Sequence, residues 1–349
     1  MFLALIQISY SELQLAILLL IILLGLSALI YGGDILTKGA SSISVNMRID
    51  PMIVGLTVVS IATSMPEMAT SMVAAQENPG IALGNILGSN IANIGLILGI
   101  TAFFAPLKIK KHMVQKEVPF LICVSFLFIF CTYTSGLSHL EGVLLLTLTI
   151  TYLLYVVKKA LNNPTTGSEN IPLSKSDEPM AQTTKIAILL VLLGAVLLGL
   201  GADFLVGASV EIAARMGASE LLIGITIVAI GTSLPELAAS IAALRAGQGD
   251  MCSGNIVGSC LFNILLIGGS VSTVWGIELS DGPTFIEFSA FLVLPCLLFW
   301  FFKSGRIVTR KEGVVLLFTY AIVITLSAIS NYGYCLLYTS PSPRDTPIS

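Results

Sequence analysis

The sequence predicts an all-α membrane protein, with ten transmembrane helices arranged as two five-helix repeats of inverted topology. Composition is the first reason. Of 349 residues, 55% are apolar and 11% charged, whereas soluble domains carry about 25% charged residues. The second reason is internal duplication. Residues 55–67 read GLTVVSIATSMPE and residues 224–236 read GITIVAIGTSLPE, identical at eight of thirteen positions. GNILGSNIANIGLIL at 84–98 and GNIVGSCLFNILLIG at 254–268 share nine of fifteen. The third reason is the placement of basic residues, which follows from the order of the spans.

Apolar runs near 20 residues are long enough to cross the hydrocarbon core as helices. Such runs place spans at roughly 13–33, 51–76, 80–105, 117–136 and 139–157, then at 186–206, 219–244, 250–276, 284–302 and 313–330. The first follows a weakly polar leader with neither a basic n-region nor an A-x-A site, so no cleaved signal peptide is expected. Residues 34–50 and 203–218 read as small-residue-rich extensions of the first and sixth helices. Residues 11–158 form the first repeat, 186–330 the second, and 159–185, rich in Asn, Pro, Ser and charge, the cytoplasmic linker between them. The end, 331–349, matches nothing in the first half and is read as a disordered or artefactual tail.

A unit of five spans leaves the membrane on the side opposite to the one it entered, so its second copy must be inverted. Threading the spans alternately puts fifteen of the seventeen Lys and Arg residues on one face, leaving Arg215 and Arg344 on the other. By the positive-inside rule that face is cytoplasmic. The expected location is the plasma or inner membrane, multi-pass, with both termini on the non-cytoplasmic side. Six cysteines without CxxC spacing and two histidines in loops leave no zinc or disulfide framework.

No Lys or Arg falls inside a predicted span, yet Glu67 and Glu236 lie near mid-span, each directly after a proline. A charge at the bilayer centre costs roughly 2.5–3.5 kcal/mol on insertion scales. Such carboxylates bind cations, take up protons or face water, and each outcome describes a transport path. Pro66 and Pro235 cannot donate to the carbonyls of Ala62 and Gly231, so kinks are expected that gather oxygen atoms. Thr63 and Ser64, like Thr232 and Ser233, stand four and three residues before the glutamates and share their face. Asn85, Ser89 and Asn93 form a stripe with a spacing of four, and Asn255, Ser259 and Asn263 repeat it. The bland reading of that stripe is helix packing, with Gly84, Gly88, Gly254 and Gly258 permitting close approach. Asp34 and Asp203 read as helix-end or inter-helix bonding residues. Two carboxylates with nearby hydroxyl, amide and carbonyl oxygens suit Ca2+, which takes roughly six to eight oxygens in flexible geometry, better than Mg2+.

These paired motifs resemble the alpha repeats of the cation/Ca2+ exchanger superfamily, specifically its prokaryotic sodium/calcium exchanger-like branch. The resemblance implies that Glu67 and Glu236 are the central calcium ligands, assisted by Thr63 and Thr232. Ser64, Ser233, Ser89, Ser259, Asn93 and Asn263, with the backbone near Ser60 and Ala229, would complete the sodium and calcium sites. It also implies that the first and sixth helices slide across the bundle. Proton-coupled relatives close GN-x-x-E with a glutamate; here Gly88 and Gly258 stand there, favouring sodium. Some relatives carry aspartate where this chain has Asn263. The expectation is a secondary active antiporter exchanging Na+ for Ca2+, working as a monomer in a lipid bilayer, with no cofactor and no nucleic-acid partner. The alternatives are an H+-coupled or K+-dependent divalent-cation exchanger, an intramembrane acid/base enzyme and a passive channel.

Overall fold

A computed structural model describes residues 10–77, 79–162, 183–216, 229–277 and 285–338. The helices are α1 (Leu15–Met47), α2 (Pro51–Thr63), α3 (Met65–Glu77), α4 (Gly80–Phe104), α5 (Met113–Thr132) and α6 (His139–Asn162). After the linker come α7 (Thr184–Arg215), α8 (Ala229–Gly231), α9 (Leu234–Arg245), α10 (Gly249–Trp275), α11 (Phe285–Lys303) and α12 (Arg310–Tyr338). Among the described residues eight helices are long and apolar enough to cross a membrane, and the bent pair α2–α3 makes nine. The fold is therefore an all-α, multi-pass membrane fold. Of the expected span 219–244, only 229 onward is described, as α8 and α9.

Local chemistry sets the boundaries. α1 ends where Arg48 turns left-handed, at φ 54, and α2 starts at once, with Asp50 accepting from Met52 N at 2.9 Å and Pro51 in its first turn. This is an N-cap followed by a proline whose missing N–H costs nothing there. α12 runs on to Tyr338; of the stretch read as a disordered or artefactual tail, 339–349 lie outside the described residues.

Two departures concern the backbone. The helix before Glu67 does not merely kink: α2 stops at Thr63, Ser64 sits at φ −85, ψ 2, and α3 restarts at Met65, with a bend of 43°. The second copy does the same, Ser233 at φ −93, ψ 6 preceding α9. A proline is better tolerated in a first turn than in a helix interior. The other departure is a two-stranded ribbon, β1 (Leu107–Lys108) antiparallel to β2 (Ile307–Val308). An isolated bridge joins Leu137 to Ile277. These pairs satisfy loop backbone groups that would otherwise go unbonded.

Burial identifies the centre. The most apolar stretches of α4 and α10 are 78% and 83% buried, against 22% for those of α1 and α12. Leu20 and Leu23 of α1, Leu154 of α6, Leu189 of α7 and Phe318 of α12 are exposed, an outward apolar face suited to acyl chains. In lipid, helices associate through close packing rather than the hydrophobic effect. α2 and α10 accordingly cross on glycine: a Cβ at Gly254 would stand 2.3 Å from Met52 O, and one at Gly258 2.5 Å from Leu56 O. Among the described residues the packing role is seen at Gly254 and Gly258.

Candidate functional site: two carboxylates at the broken helices

Glu67 lies in the first turn of α3 and Glu236 in the first turn of α9. Each carboxylate therefore stands at a helix N-terminus, where free N–H groups favour negative charge. Both are buried, at 1% and 0% exposure. They sit close enough to interact electrostatically. Ser64, just before α3, donates to Glu236 Oε1 at 2.9 Å, joining the broken point of one copy to the acid of the other.

α10 holds this junction together. Asn255 Nδ2 donates to Ser240 Oγ at 3.0 Å and, more weakly, to Glu236 O at 3.4 Å, while its Oδ1 accepts from Thr63 Oγ1 at 3.4 Å. Ser60 Oγ donates to Gly55 O at 2.7 Å and to Asn255 O at 3.0 Å. Deeper in, Asn263 Nδ2 donates to Ser89 Oγ at 2.8 Å, tying α10 to α4. Asn93 and Asn263 each open a stretch of π-helical turns, Asn93–Ile97 in α4 and Asn263–Gly268 in α10. Such wide turns recur at functional sites, because one extra residue re-aims side chains.

Other polar side-chain atoms here are buried without a hydrogen-bond partner among the described residues. They are both carboxylate oxygens of Glu67, Glu236 Oε2, the side-chain oxygen and nitrogen of Asn93, Asn263 Oδ1, and the hydroxyls of Ser233 and Ser259. Buried polar groups are almost always bonded, and leaving one bare costs about 1–3 kcal/mol, more when charged. Seven of these atoms are oxygens, the donor type that replaces the hydration shell of a cation. Among the described residues no three His, Cys, Asp or Glu side chains gather as a metal-holding group. Two carboxylates among neutral oxygens form a hard donor set, suited to alkali and alkaline-earth ions.

Of the twelve residues singled out in the sequence, Ser60, Thr63, Ser64, Glu67, Ser89, Asn93, Ser233, Glu236, Ser259 and Asn263 are all buried, and the bonds above link most of them. Thr232 is half-buried in the turn before α9, and Ala229 opens α8. Sequence reasoning placed Asn85 and Asn255 in the polar stripes but not among the ligands, and left out their partners Ser71 and Ser240; Asn85 and Ser71 pair at 2.8 Å. The signal was present: Ser71 and Ser240 stand four residues after the glutamates, on the same helical face.

The family model for "Sodium/calcium exchanger protein" matches residues 17–158 and 186–329. The chain is 38% identical over 305 residues to the "Putative antiporter CaxA" of Alkalimonas amylolytica, covering 86% of this chain and 95% of that protein. It is 33% identical over 311 residues to the "Inner membrane protein YrbG" of Escherichia coli (strain K12), covering 88% and 95%. Among solved structures it is similar to the sodium-calcium exchanger NCX_Mj soaked with Na+ and Sr2+, with a TM-score of 0.76 and 30% identity, covering 89% of this chain and 99% of that one. Two matched broken helices, each opening on a buried glutamate, thus stand in a chain matched over nearly all its length, and the protein belongs to the sodium/calcium exchanger family.

Proposed function

We propose that the protein is a secondary active antiporter that exchanges Na+ for Ca2+ by alternating access to the buried carboxylate pair. One observation carries the reading: Glu67 and Glu236, from the two copies of one motif, are buried, interact with each other, and keep three carboxylate oxygens without a partner among the described residues. Two carboxylates neutralise one divalent ion, and sodium ions spread over the surrounding oxygens would compete with it. Glu67 and Glu236, with Thr63 and Thr232, act as the calcium ligands. Ser64, Ser233, Ser89, Ser259, Asn93, Asn263 and the backbone near Ser60 and Ala229 complete the calcium and sodium positions.

The ten-span, inverted-repeat reading, with repeats at 11–158 and 186–330 joined by a cytoplasmic linker, has independent support. The ribbon pairs Leu107 with Val308, and the bridge pairs Ile277 with Leu137. Shifting Leu107 by the repeat offset of 170 gives 277, and shifting 137 by 171 gives 308, so each pair is the other's image. The hydrogen bonds Asn85–Ser71 and Asn255–Ser240 correspond in the same way. The basic face is cytoplasmic and the termini lie opposite; the name of the Escherichia coli relative supports an inner-membrane location. One chain contains both halves of the site, so a monomer suffices.

The test is Na+-gradient-driven uptake of radioactive Ca2+ into vesicles. Glu67→Gln and Glu236→Gln are expected to abolish uptake while the protein still inserts and folds. Wild-type uptake by both variants would overturn the site, and uptake driven by a pH or K+ gradient without sodium would replace the coupling ion.

A further inference from the structure

The carboxylate pair is buried on all sides, so an ion can reach it only after something opens. A polar stripe on α1 marks where. Asp34, Thr37 and Ser41 are spaced i, i+3, i+7 and lie along one face. At Gly33 that helix rides directly on α9, where a Cβ would meet Ala238 O at 2.9 Å and Ala242 Cβ at 3.3 Å. The stripe therefore starts beside Ala238 and Ala242 and runs along α9 to its basic end. Thr37 is 4% exposed and its hydroxyl has no partner among the described residues. Gln248 Oε1, at the far end, is likewise buried and unbonded among the described residues. Two contacts cross the stripe: Arg245 Nη1 stands 3.9 Å from Asp34 Oδ1, and Gln248 Nε2 donates to Ser41 Oγ.

The duplication shows that the fold does not require this stripe. At the repeat offset of 169, Asp34 corresponds to Asp203, but Thr37 and Ser41 correspond to Val206 and Val210. Arg245 corresponds to Gln76 and Gln248 to Pro79. The second copy carries valines at those two positions of α7 and a glutamine in place of Arg245. Burying the Thr37 hydroxyl on α1 and the Gln248 amide oxygen before α10, where the second copy has Val206 and Pro79, carries a desolvation cost that packing does not explain.

We propose that Asp34, Thr37 and Ser41 line the cytoplasmic ion path of the exchanger, and that Arg245 and Gln248 latch it shut. The proposal rests on the exchange reading above. Arg245 holds the carboxylate that an incoming cation would meet first. A partly exposed ion pair binds weakly, as a contact broken on every cycle must. Gly33 against Ala238 and Ala242 is a smooth, small-residue contact, over which α1 can shift without unlocking interdigitated side chains.

A double variant, Ser41→Cys with Gln248→Cys, tests the latch in vesicles, with reagent-treated wild type as control. Joined by a short reducible bis-thiosulfonate, it is expected to stop taking up Ca2+, and reduction restores uptake, which also shows that the variant folds. In sided vesicles, Arg245→Gln should lower half-saturating Ca2+ about two- to fivefold at the basic face only, and Asp34→Asn should raise it there. A merely structural pair would shift both variants in one direction. Full uptake by the cross-linked protein, or shifts of equal sign, overturns the latch. Absence of Na+-driven uptake in wild type removes the exchange reading, and the latch with it.

Discussion

Ser64 Oγ donates to Glu236 Oε1 at 2.9 Å, although the two residues are 172 apart in the chain. Ser64 occupies the single non-helical position between α2 and α3, and Glu236 opens α9. The bond therefore reports that the two broken helices meet at their breaks. A hydrogen bond to a charged group contributes about 1.5–3 kcal/mol. Ser64→Ala should raise the half-saturating Ca2+ concentration at least about tenfold, and Ser64→Thr, which keeps the hydroxyl, should recover most of it. Equilibrium Ca2+ binding to purified protein measures both.

Asn255 and Asn85 are equivalent by sequence and differ in surroundings. Asn255 is 1% exposed and reaches Ser240, Thr63 and the Glu236 carbonyl, whereas Asn85 is half-buried and bonds Ser71. Asn255→Ala strands more buried partners, each costing about 1–3 kcal/mol. It should therefore lower the melting temperature and Ca2+ affinity more than Asn85→Ala, by thermal unfolding and flux assay. Equal effects would mean that the two asparagines serve only as matched packing posts.

Gly258→Ala tests the crossing of α2 and α10. The added Cβ would fall 2.2 Å from Ser60 Oγ and 2.5 Å from Leu56 O. The serine can rotate away, but the backbone carbonyl cannot. Overpacking of this kind costs about 1–3 kcal/mol or more, and it would push Ser60 and Thr63 away from Asn255. A lower melting temperature in detergent is expected, along with loss of Na+-driven uptake.

His112 gives a pH dependence outside the spans. Burial first, then the Lys159 and Lys116 charges, hold its imidazole below the usual value of 6.5, with Asp50 pulling the other way. Its Nδ1 lies 3.1 Å from Glu117 Oε1, and Lys159 Nζ contacts Nε2. A base with a depressed folded pKa binds fewer protons when folded than when unfolded. The stability it contributes is complete above about pH 6.5 and declines as pH falls toward the folded value. Melting temperature should drop between about pH 7 and about pH 5, and His112→Gln should flatten that drop.

Much of this was legible along the chain because it is written in composition and repetition. Apolar run length marks membrane spans, since the bilayer sets one length for every helix that crosses it. The offset between Glu67 and Glu236 pointed to paired sites, because duplication preserves local chemistry. What a linear reading misread was the backbone at the prolines. It expected a bent helix, and the chain instead ends one helix and starts another, turning each glutamate into a first-turn residue.

The sequence by itself determined that two carboxylates lie in the membrane with hydroxyls and amides at helical spacing, because those relations are local. Only the tertiary structure decided which oxygens meet. Asn255 reaches Thr63 across 192 residues, and Asn263 reaches Ser89 across 174. Such pairings depend on how closely α10 approaches α2 and α4, and against α2 that distance is set by glycine on backbone, a steric fact with no periodicity to read.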